Sequence, residues 1–509
     1  MSHEQDRPGD RDPFSTGYLV DDLKRRSVRG GAHTVAATGA RHLLDLASVV
    51  FLARLLTPGD FGLIAMVMAV VGFLATLNDA GLSTATVQRE DLREEQVNLL
   101  FWLNVGVSLA LVLVVAALSP LIAWFYGDER LVWITMALGA GFLFGGLEAQ
   151  HAALLQRQMR FGTLAWTRLV ANAAGVVAAI AAAFAGWGYW ALVVRALVTP
   201  AVSLAAVWTA MPWRPGLPRR SVGARGLVRF GGYVSGFRAV NYVGRNLDNL
   251  LIGRLIGGSA LGLYSKAYAL LMLPLNLMNG PISRVAVPAL SRLQRDPERM
   301  LSYYAKALTL VVTFSMPVVA WLASVADSFV LTVLGEQWRE AIHLFRILVI
   351  PAFIGTLNVA SGWVFVSLGH VDRQLRCGLA NTAVNVLAIT IGIQWGVEGV
   401  AWALVISSAS KRIPTLAYCY LGTPFTLGLL GRVVWRPAAA SVFAGCATWL
   451  VHGWLAPGTW PPLALAASLP IFAGVYLLAL LGLPGGRALV SETLGHVSLL
   501  RGRPAEVLG

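Results

Sequence analysis

The chain has 509 residues, of which 56% are hydrophobic and only 13% charged, and its mean hydropathy is +0.65. A soluble protein of this length is rarely so apolar, and a lipid bilayer is the solvent that this composition fits. The net charge of +14 does not indicate nucleic acid, because most Arg and Lys residues stand in short segments between apolar stretches. We therefore predict an integral membrane protein with no nucleic-acid partner.

The chain begins with about thirty polar and charged residues and then alternates apolar stretches with short polar segments. The polar start has no apolar region before a small-residue cleavage site, which predicts a cytoplasmic tail instead of a signal peptide. A window of about 20 residues finds about fourteen crossings. Their centres lie near residues 43, 70, 108, 140, 174, 199, 242, 271, 312, 353, 384, 405, 443 and 472.

Cations mark alternate connections between the crossings. They occur in 89–96, 154–160, 213–229, 291–299, DRQLR (372–376), SKR (410–412) and GRVVWR (431–436), whereas the intervening connections, among them Asp327 to Glu340, hold few. Positive residues favour the cytoplasmic side. This pattern predicts a multi-pass protein of the cell (cytoplasmic) membrane with both termini in the cytoplasm.

An internal repeat is visible when the chain is laid on itself. LARLLTPGDFGLIAM (52–66) matches IGRLIGGSALGLYSK (252–266), RQMRFG (157–162) matches RQLRCG (373–378), and WALV occurs at 190–193 and 402–405. The offsets of 200, 216 and 212 residues fit one duplication with small insertions. Six crossings separate equivalent elements, so the repeats are parallel and related by an axis along the membrane normal.

These observations predict an all-α integral membrane fold of two six-helix lobes plus two C-terminal helices. The predicted boundaries are a cytoplasmic tail (1–30), an N-lobe of crossings one to six (31–212), a cytoplasmic linker (213–229), a C-lobe of crossings seven to twelve (230–420), crossings thirteen and fourteen (421–485) and a cytoplasmic C-tail (486–509).

Polar stripes run along the first and seventh crossings. The first carries Thr34, Thr38, Arg41, Asp45 and Ser48 on one helical face, and the seventh carries Arg238, Asn241, Tyr242, Arg245, Asp248 and Asn249 at similar spacing. A charge in the middle of a membrane helix costs about 2.5–3.5 kcal/mol on insertion scales. Such a face therefore looks into a wet cavity or at other polar groups.

Two interpretations of the stripes fit the residues. In the first, Arg41, Arg238, Arg245 and Lys266 line a cationic cavity and bind phosphate oxygens, with Asn241, Tyr242, Asp248 and Asn249 as polar neighbours. In the second, Arg41 with Asp45, and Arg245 with Asp248 or Asn249, are structural pairs that neutralise each other. The excess of cations over acids favours the first.

Four segments resemble the polysaccharide exporter (Wzx-like) branch of the multidrug/oligosaccharidyl-lipid/polysaccharide (MOP) superfamily. They are LARLLTPGDFGLIAM (52–66), DAGLSTATVQRE (79–90), RNLDNLLIGRLIGGSALGLYSKAYALLMLP (245–274) and PALSRLQRDPERM (288–300). The resemblance implies a MATE-like pair of lobes, alternating access and an undecaprenyl-pyrophosphate-linked oligosaccharide as cargo. It also implies a cationic central cavity, which Arg41, Arg238, Arg245 and Lys266 fit, with His42 and Asp45 as polar neighbours.

The expected function is therefore a flippase for surface polysaccharide biosynthesis. Its partners would be the polyprenyl-pyrophosphate-linked oligosaccharide and membrane lipids, with a polysaccharide polymerase or glycosyltransferases as further candidates. A cation-coupled drug antiporter of the same fold would need acidic residues for its cationic substrates, and a membrane-embedded enzyme would need larger loops. No Walker motif, metal-ligand cluster or nucleophile elbow is visible, so we predict no enzyme, metal or cofactor. A scaffold for assembly enzymes is the remaining alternative.

Overall fold

The computed structural model describes residues 23–76, 78, 83, 86–87, 92–217, 242, 246–455 and 459–491, with the backbone alone for 23–33 and 35. Every regular element in these ranges is a helix. By length and composition, 11 helical stretches among the described residues can cross a membrane. The predicted all-α membrane class is confirmed.

The described chain divides into two compact units, residues 1–262 and 263–509, and each is treated separately below. The helices that begin in the first unit are α1 (Leu23–Leu55), α2 (Pro58–Ala75), α3 (Glu94–Tyr126), α4 (Arg130–Arg157), α5 (Phe161–Phe184), α6 (Trp190–Ala210), the helical residues 246–255, here α7, and α8 (Gly258–Arg292), which continues into the second unit. The domain boundaries drawn from the sequence remain predictions.

The second unit continues with α9 (Pro297–Ser324), α10 (Ala326–Val333), α11 (Ala341–Gly355), α12 (Asn358–Ser367), α13 (Val371–Gly392), α14 (Gly396–Tyr420), α15 (Leu427–Leu455) and α16 (Pro461–Gly482). Each predicted crossing centre falls on a helical residue. The tenth predicted crossing is made of two helices, α11 and α12, which are interrupted at residues 356–357.

DRQLR (372–376) and GRVVWR (431–436), which were predicted as connections, lie in the first turns of α13 and α15. Two further segments predicted as connections are also helical. SKR (410–412) lies inside α14, because the residues that follow it, up to Tyr420, are mostly apolar and continue the span. Between Asp327 and Glu340 the chain forms most of α10 and a short 3-10 helix at Glu336–Trp338. Trp338 is fully buried, and Asp327 accepts a hydrogen bond from Arg346 at 2.5 Å, so the second segment is packed instead of extending freely.

The TPGD motif explains where α2 begins. Thr57 is the N-cap, Pro58 takes the first helical turn, and the Asp60 carboxylate accepts from the Thr57 backbone N–H at 2.8 Å. The Asp60 N–H donates in return to the Thr57 hydroxyl at 3.3 Å. This capping box satisfies donors that a helix start otherwise leaves unpaired.

The first matched pair of repeat segments meets through equivalent backbone surfaces. A Cβ added at Gly62 would lie 1.8 Å from the Gly258 carbonyl oxygen, and one added at Gly262 would lie 1.9 Å from the Pro58 carbonyl oxygen. The offset of 200 residues exchanges these two contacts, since it places Pro58 on Gly258 and Gly62 on Gly262. Glycine is therefore required at 62 and 262 because no side-chain atom fits there.

Arginines of the second matched pair stabilise helix ends. Arg160 donates to the carbonyl of Ala210, the last residue of α6, at 3.1 Å, and Arg373 donates to the carbonyl of Leu421, just after α14, at 2.6 Å. Cations at helix C-termini satisfy unpaired carbonyls and complement the helix dipole. These repeat arginines thus have a structural role in addition to any effect on topology.

Candidate functional site

The polar stripe of α1 meets α5 and α6 at Asp45. One carboxylate oxygen, Oδ1, accepts from Arg195 Nη2 at 2.7 Å and from Asn172 Nδ2 at 3.1 Å. Arg41, one turn earlier on α1, approaches the other oxygen, Oδ2, with its Nε at 3.9 Å. We call Arg41, Asp45, Asn172 and Arg195 the Asp45 cluster.

The Asp45 cluster combines both interpretations of the stripe. The Asp45–Arg195 ion pair joins two helices, and its side chains are 29% and 26% exposed, as expected of a structural pair. The Arg41 side chain is 51% exposed, and at 3.9 Å it is too far from the carboxylate for a hydrogen bond. Two guanidinium groups share one carboxylate, so the cluster keeps an excess positive charge, and Arg41 is the exposed part of it.

The stripe is not uniformly exposed along α1. Thr38 is exposed and His42 is half-buried, whereas Ser48 is fully buried. The end of the stripe near Ser48 is thus packed inside the first unit. Thr38 and Arg41 are the exposed side chains of the stripe, so its accessible part lies around Arg41.

Three predicted residues of the seventh crossing, Arg238, Asn241 and Arg245, lie outside the described residues. Tyr242, which is described, donates its hydroxyl to the Met68 carbonyl on α2 at 2.6 Å. Gly72 makes room for this ring, since a Cβ there would lie 2.0 Å from the Tyr242 hydroxyl oxygen. The hydroxyl of Tyr242 therefore contacts α2 directly.

The remaining predicted residues are only partly exposed. The Asp248 carboxylate accepts from the backbone N–H of Asn249 at 2.9 Å, and the Asn249 side chain donates to Asn246 at 3.4 Å. Lys266 is half-buried on α8, about two turns after the helix begins at Gly258.

A second polar row, which the sequence analysis missed, joins α13 and α14. Ser407 donates to the side-chain carbonyl of Asn385 at 3.0 Å, Lys411 donates to the same oxygen, and Thr415 donates to Asn381 at 3.1 Å. Both helices place these residues four positions apart, so they form one continuous row that we call the α13–α14 ladder. This spacing is visible in the sequence, but the cations of SKR (410–412) predict a connection there.

Arg412 extends this cationic region to the interrupted crossing. Its Nη1 donates to the side-chain oxygen of Asn358, the first residue of α12, and its side chain is only 9% exposed. Among residues 263–455 and 459–491, no carboxylate forms an ion pair with Lys411 or Arg412. Amide oxygens satisfy hydrogen bonds but leave the charge in place, so this part of α14 is electropositive.

The internal repeat relates the two polar regions. The WALV match places Arg195 at Ser407 and Thr199 at Lys411. An Asn of the preceding helix takes part in each region, since Asn172 donates to Asp45 and Asn385 accepts from Ser407. Asp45 forms an ion pair with Arg195 in the first unit. In the described part of the second unit the cation Lys411 lies one helical turn after the position equivalent to Arg195 and donates to the amide oxygen of Asn385, so its charge is not neutralised.

Guanidinium, ammonium, amide and hydroxyl groups therefore dominate both regions. These groups bind phosphate and carboxylate oxygens, Arg through its planar fork and Lys as a point charge. Within the described residues, no group of His, Cys, Asp and Glu side chains is arranged to hold a metal ion. The chemistry that both regions support is the binding of an anion inside a membrane protein.

Comparison with known sequences identifies related proteins. A family model described as polysaccharide biosynthesis protein matches residues 51–343. The lipopolysaccharide biosynthesis protein WzxC of Escherichia coli (strain K12) is 26% identical over 434 residues, which cover 81% of this chain and 87% of the relative. The teichuronic acid biosynthesis protein TuaB of Bacillus subtilis (strain 168) is 27% identical over 389 residues, covering 76% and 80%. The succinoglycan biosynthesis transport protein ExoT of Rhizobium meliloti (strain 1021) is 24% identical over 410 residues, covering 78% and 81%.

Comparison with solved structures confirms the predicted fold family. The lipid II flippase MurJ in an inward closed conformation superposes with a TM-score of 0.71 at 14% identity, over 92% of this chain and 99% of that chain. An inward-facing multidrug resistance MATE transporter of the MOP superfamily gives a TM-score of 0.60 at 15% identity, over 75% and 94%. At these identities the likeness establishes the fold, which is that of MOP transporters.

Proposed function

This chain belongs to the polysaccharide biosynthesis protein family, and from that membership we propose that it is a flippase of undecaprenyl-pyrophosphate-linked oligosaccharide. It translocates this lipid across the cytoplasmic membrane for surface polysaccharide biosynthesis. The observation that carries the proposal is the surplus of cations over carboxylates inside membrane-spanning helices of both units, at Arg41 and at Lys411 with Arg412. The relative ExoT is named a transport protein, and the structural neighbour MurJ a lipid II flippase, which supports the same function.

The cations address the main barrier to translocation. A pyrophosphate with hydrated sugars is strongly disfavoured in hydrocarbon, because its charge loses water there. Fixed cations replace the lost hydration and compensate the charge while the polyprenyl tail stays in the lipid. Alternating access then exposes the bound headgroup to the opposite side of the membrane.

We assign the pyrophosphate to the predicted cations Arg41, Arg238, Arg245 and Lys266, with His42, Asp45, Asn241, Tyr242, Asp248 and Asn249 as polar neighbours. In the second unit we assign an anion-binding role to Lys411, which Asn385 positions. No catalytic residue or cofactor is assigned, because binding and release of an anion need neither bond making nor a metal.

The proposal is tested by translocation in liposomes. Purified wild-type protein is reconstituted in liposomes with a fluorescent polyprenyl-pyrophosphate oligosaccharide. Translocation is followed as the loss of accessibility of the fluorescent headgroup to a membrane-impermeant quencher. We expect Arg41→Gln and Lys411→Gln each to slow translocation by about 10- to 100-fold, since a hydrogen bond to a charged group contributes about 1.5–3 kcal/mol. Arg295→Gln is the matched control, because this arginine is exposed in the connection between α8 and α9, and it should translocate at the wild-type rate.

Three outcomes would contradict this assignment. If the control and the two site variants translocate lipid at equal rates, Arg41 and Lys411 do not contribute to translocation. Failure of wild type to move any such lipid, together with efflux of small organic cations, would indicate a drug antiporter of the same fold. Normal surface polysaccharide in cells that carry stable but translocation-inactive variants would favour a scaffold.

The orientation is a separate proposal with its own test. From the cation-bearing connections we propose that both termini lie in the cytoplasm. A green fluorescent protein fused after Gly509 should therefore fluoresce, and alkaline phosphatase fused after residue 456 should be active outside the cytoplasm. Phosphatase activity of a fusion after Gly509 would reverse the orientation without affecting the translocation assay.

A further inference from the structure

A cavity of about 410 Å³ lies in the second unit, apart from the residues assigned to the cargo. It is formed by the first turns of α9, the first turns of α15 and the segment that follows α16. Lys306, Arg432 and Arg436 line it together with the hydroxyl residues Ser302 and Thr309, and none of its lining residues in the described part of the chain is acidic. We call this cavity the basic pocket.

The three cations of the basic pocket keep their hydrogen-bonding capacity. Among the described residues none of them forms an ion pair or a hydrogen bond, and the Arg436 Nε is buried without a partner. The Arg436 guanidinium is held by packing, since it lies 5.3 Å from the centroid of the Trp435 ring. A positioned guanidinium with unused donors is preorganised for an anionic ligand.

Gly485 allows the chain to pass close to this guanidinium. A Cβ at position 485 would lie 2.8 Å from Arg436 Nη2 and 3.1 Å from its Cζ, and the residue has a φ of +74°. Glycine satisfies both the steric and the backbone requirement. The segment after α16 therefore closes one side of the pocket without blocking the cation.

The remaining walls of the pocket are apolar. Leu310, Leu429 and Val433 line it beside the cations. Cations next to an apolar wall suit a ligand with an anionic head and a hydrocarbon chain, whereas a soluble anion gains nothing from the apolar side. The pocket therefore suits the part of a lipid where the charged headgroup joins the acyl chains.

The level of the pocket along the helices is that of a membrane interface. Its cations lie in the first three turns of α9 and of α15, and its other wall follows the end of α16. The sequence assigns the adjoining segments, 291–299, 431–436 and 486 onward, to the cytoplasmic side. Phospholipid phosphates of the inner leaflet lie at this level.

We propose that the basic pocket binds the phosphate of an anionic phospholipid from the inner leaflet. Lys306, Arg432 and Arg436 contact the phosphate oxygens, and the apolar wall contacts the beginning of an acyl chain. A topological role alone would explain cations on this side of the membrane, but it needs neither a cavity nor three cations that converge on it. The proposal is independent of the cargo that the protein carries.

The test is lipid binding to the delipidated full-length protein, measured by native mass spectrometry. Dioleoyl phosphatidylglycerol is titrated against dioleoyl phosphatidylcholine. We expect wild type to prefer the anionic lipid by at least about tenfold. The Arg432→Gln/Arg436→Gln variant should lose this preference, and the Arg432→Lys/Arg436→Lys variant should keep part of it, because the charges remain while the planar forks are lost.

The matched control is Arg295→Gln/Arg487→Gln, which removes two charges from neighbouring connections without touching the pocket lining. It should bind like wild type, and an equal loss in both double variants would reduce the effect to net charge and overturn the proposal. If the arginine variants do not fold, Lys306→Gln, at an exposed position, replaces them in the same test. We expect it to reduce the preference for phosphatidylglycerol about fivefold.

Two competitors identify the source of the phosphate. Stronger pocket-dependent binding of farnesyl pyrophosphate than of phosphatidylglycerol would assign the pocket to the cargo and overturn the proposal. Displacement of phosphatidylglycerol by inorganic pyrophosphate at an equal concentration would show that the lipid chain contributes nothing, which would also overturn it. Displacement by neither supports a phospholipid site.

Discussion

Replacing Asp45 by Asn is expected to destabilise the protein by about 2–3 kcal/mol, and adding Arg195→Gln is expected to restore most of that stability. Removing one partner of a buried ion pair costs about 3–5 kcal/mol, because the other charge stays behind uncompensated. The side chains of Asp45 and Arg195 are 29% and 26% exposed, so part of that cost is screened. Asn preserves the shape of the side chain, and the loss therefore reports the charge.

The measurement is a double-mutant cycle on thermal unfolding in detergent, with the single variants, the double variant and wild type. Glu336→Gln/Arg339→Gln is the control cycle, since this pair has a similar separation of 2.6 Å but its side chains are 70% and 67% exposed. Exposed pairs couple by about 0.2–1 kcal/mol. If the coupling free energy of Asp45 and Arg195 is no larger than that of the control pair, their ion pair does not stabilise the first unit.

The same variants separate structure from transport. If Asp45–Arg195 only joins α1 to α6, the stable double variant should translocate lipid-linked oligosaccharide near the wild-type rate. Arg41→Gln should remain slow although it leaves the Asp45–Arg195 contact intact. A double variant that is stable and yet as slow as Arg41→Gln would place the ion pair itself in the substrate site.

Sequence alone could predict the fold because membrane-spanning helices leave a strong signal. Each needs about 20 mostly apolar residues, so a hydropathy window locates them independently of tertiary contacts. The hydropathy signal fails at Lys411 and Arg412, whose charges predict a connection although both residues lie inside α14. Cations normally mark loops, and only a tertiary partner such as Asn385 or Asn358 shows that a cation lies within a span.

The candidate site was less predictable for the same reason. The spacing of Arg41 and Asp45 on one helical face could be read directly, but Arg195 lies 150 residues beyond Asp45. One sequence without relatives contains no information that pairs two such residues. Similarly, the repeat showed that Gly62 and Gly262 are equivalent, but equivalence in sequence does not show that their segments touch.

That contact gives the second large prediction. Gly62→Ala and Gly262→Ala are each expected to destabilise the protein by more than about 3 kcal/mol or to prevent folding. Overpacking costs about 1–3 kcal/mol where side chains can shift, but here the new Cβ meets a backbone carbonyl oxygen. The separations of 1.8 Å and 1.9 Å require the helices themselves to move apart.

Gly258→Ala is the matched control within the same contact. A Cβ at Gly258 would lie no closer than 3.6 Å to its nearest neighbour, the Met66 Cε, so this variant should stay within about 1 kcal/mol of wild type. All three variants add one methyl group. They are compared by the unfolding midpoint and by the monodisperse fraction of protein at equal expression. Because the repeat exchanges the two clashes, Gly62→Ala and Gly262→Ala should fail to a similar degree. A Gly62→Ala variant as stable as Gly258→Ala would show that the matched segments do not pack through their backbones. The repeat would then not require glycine at positions 62 and 262.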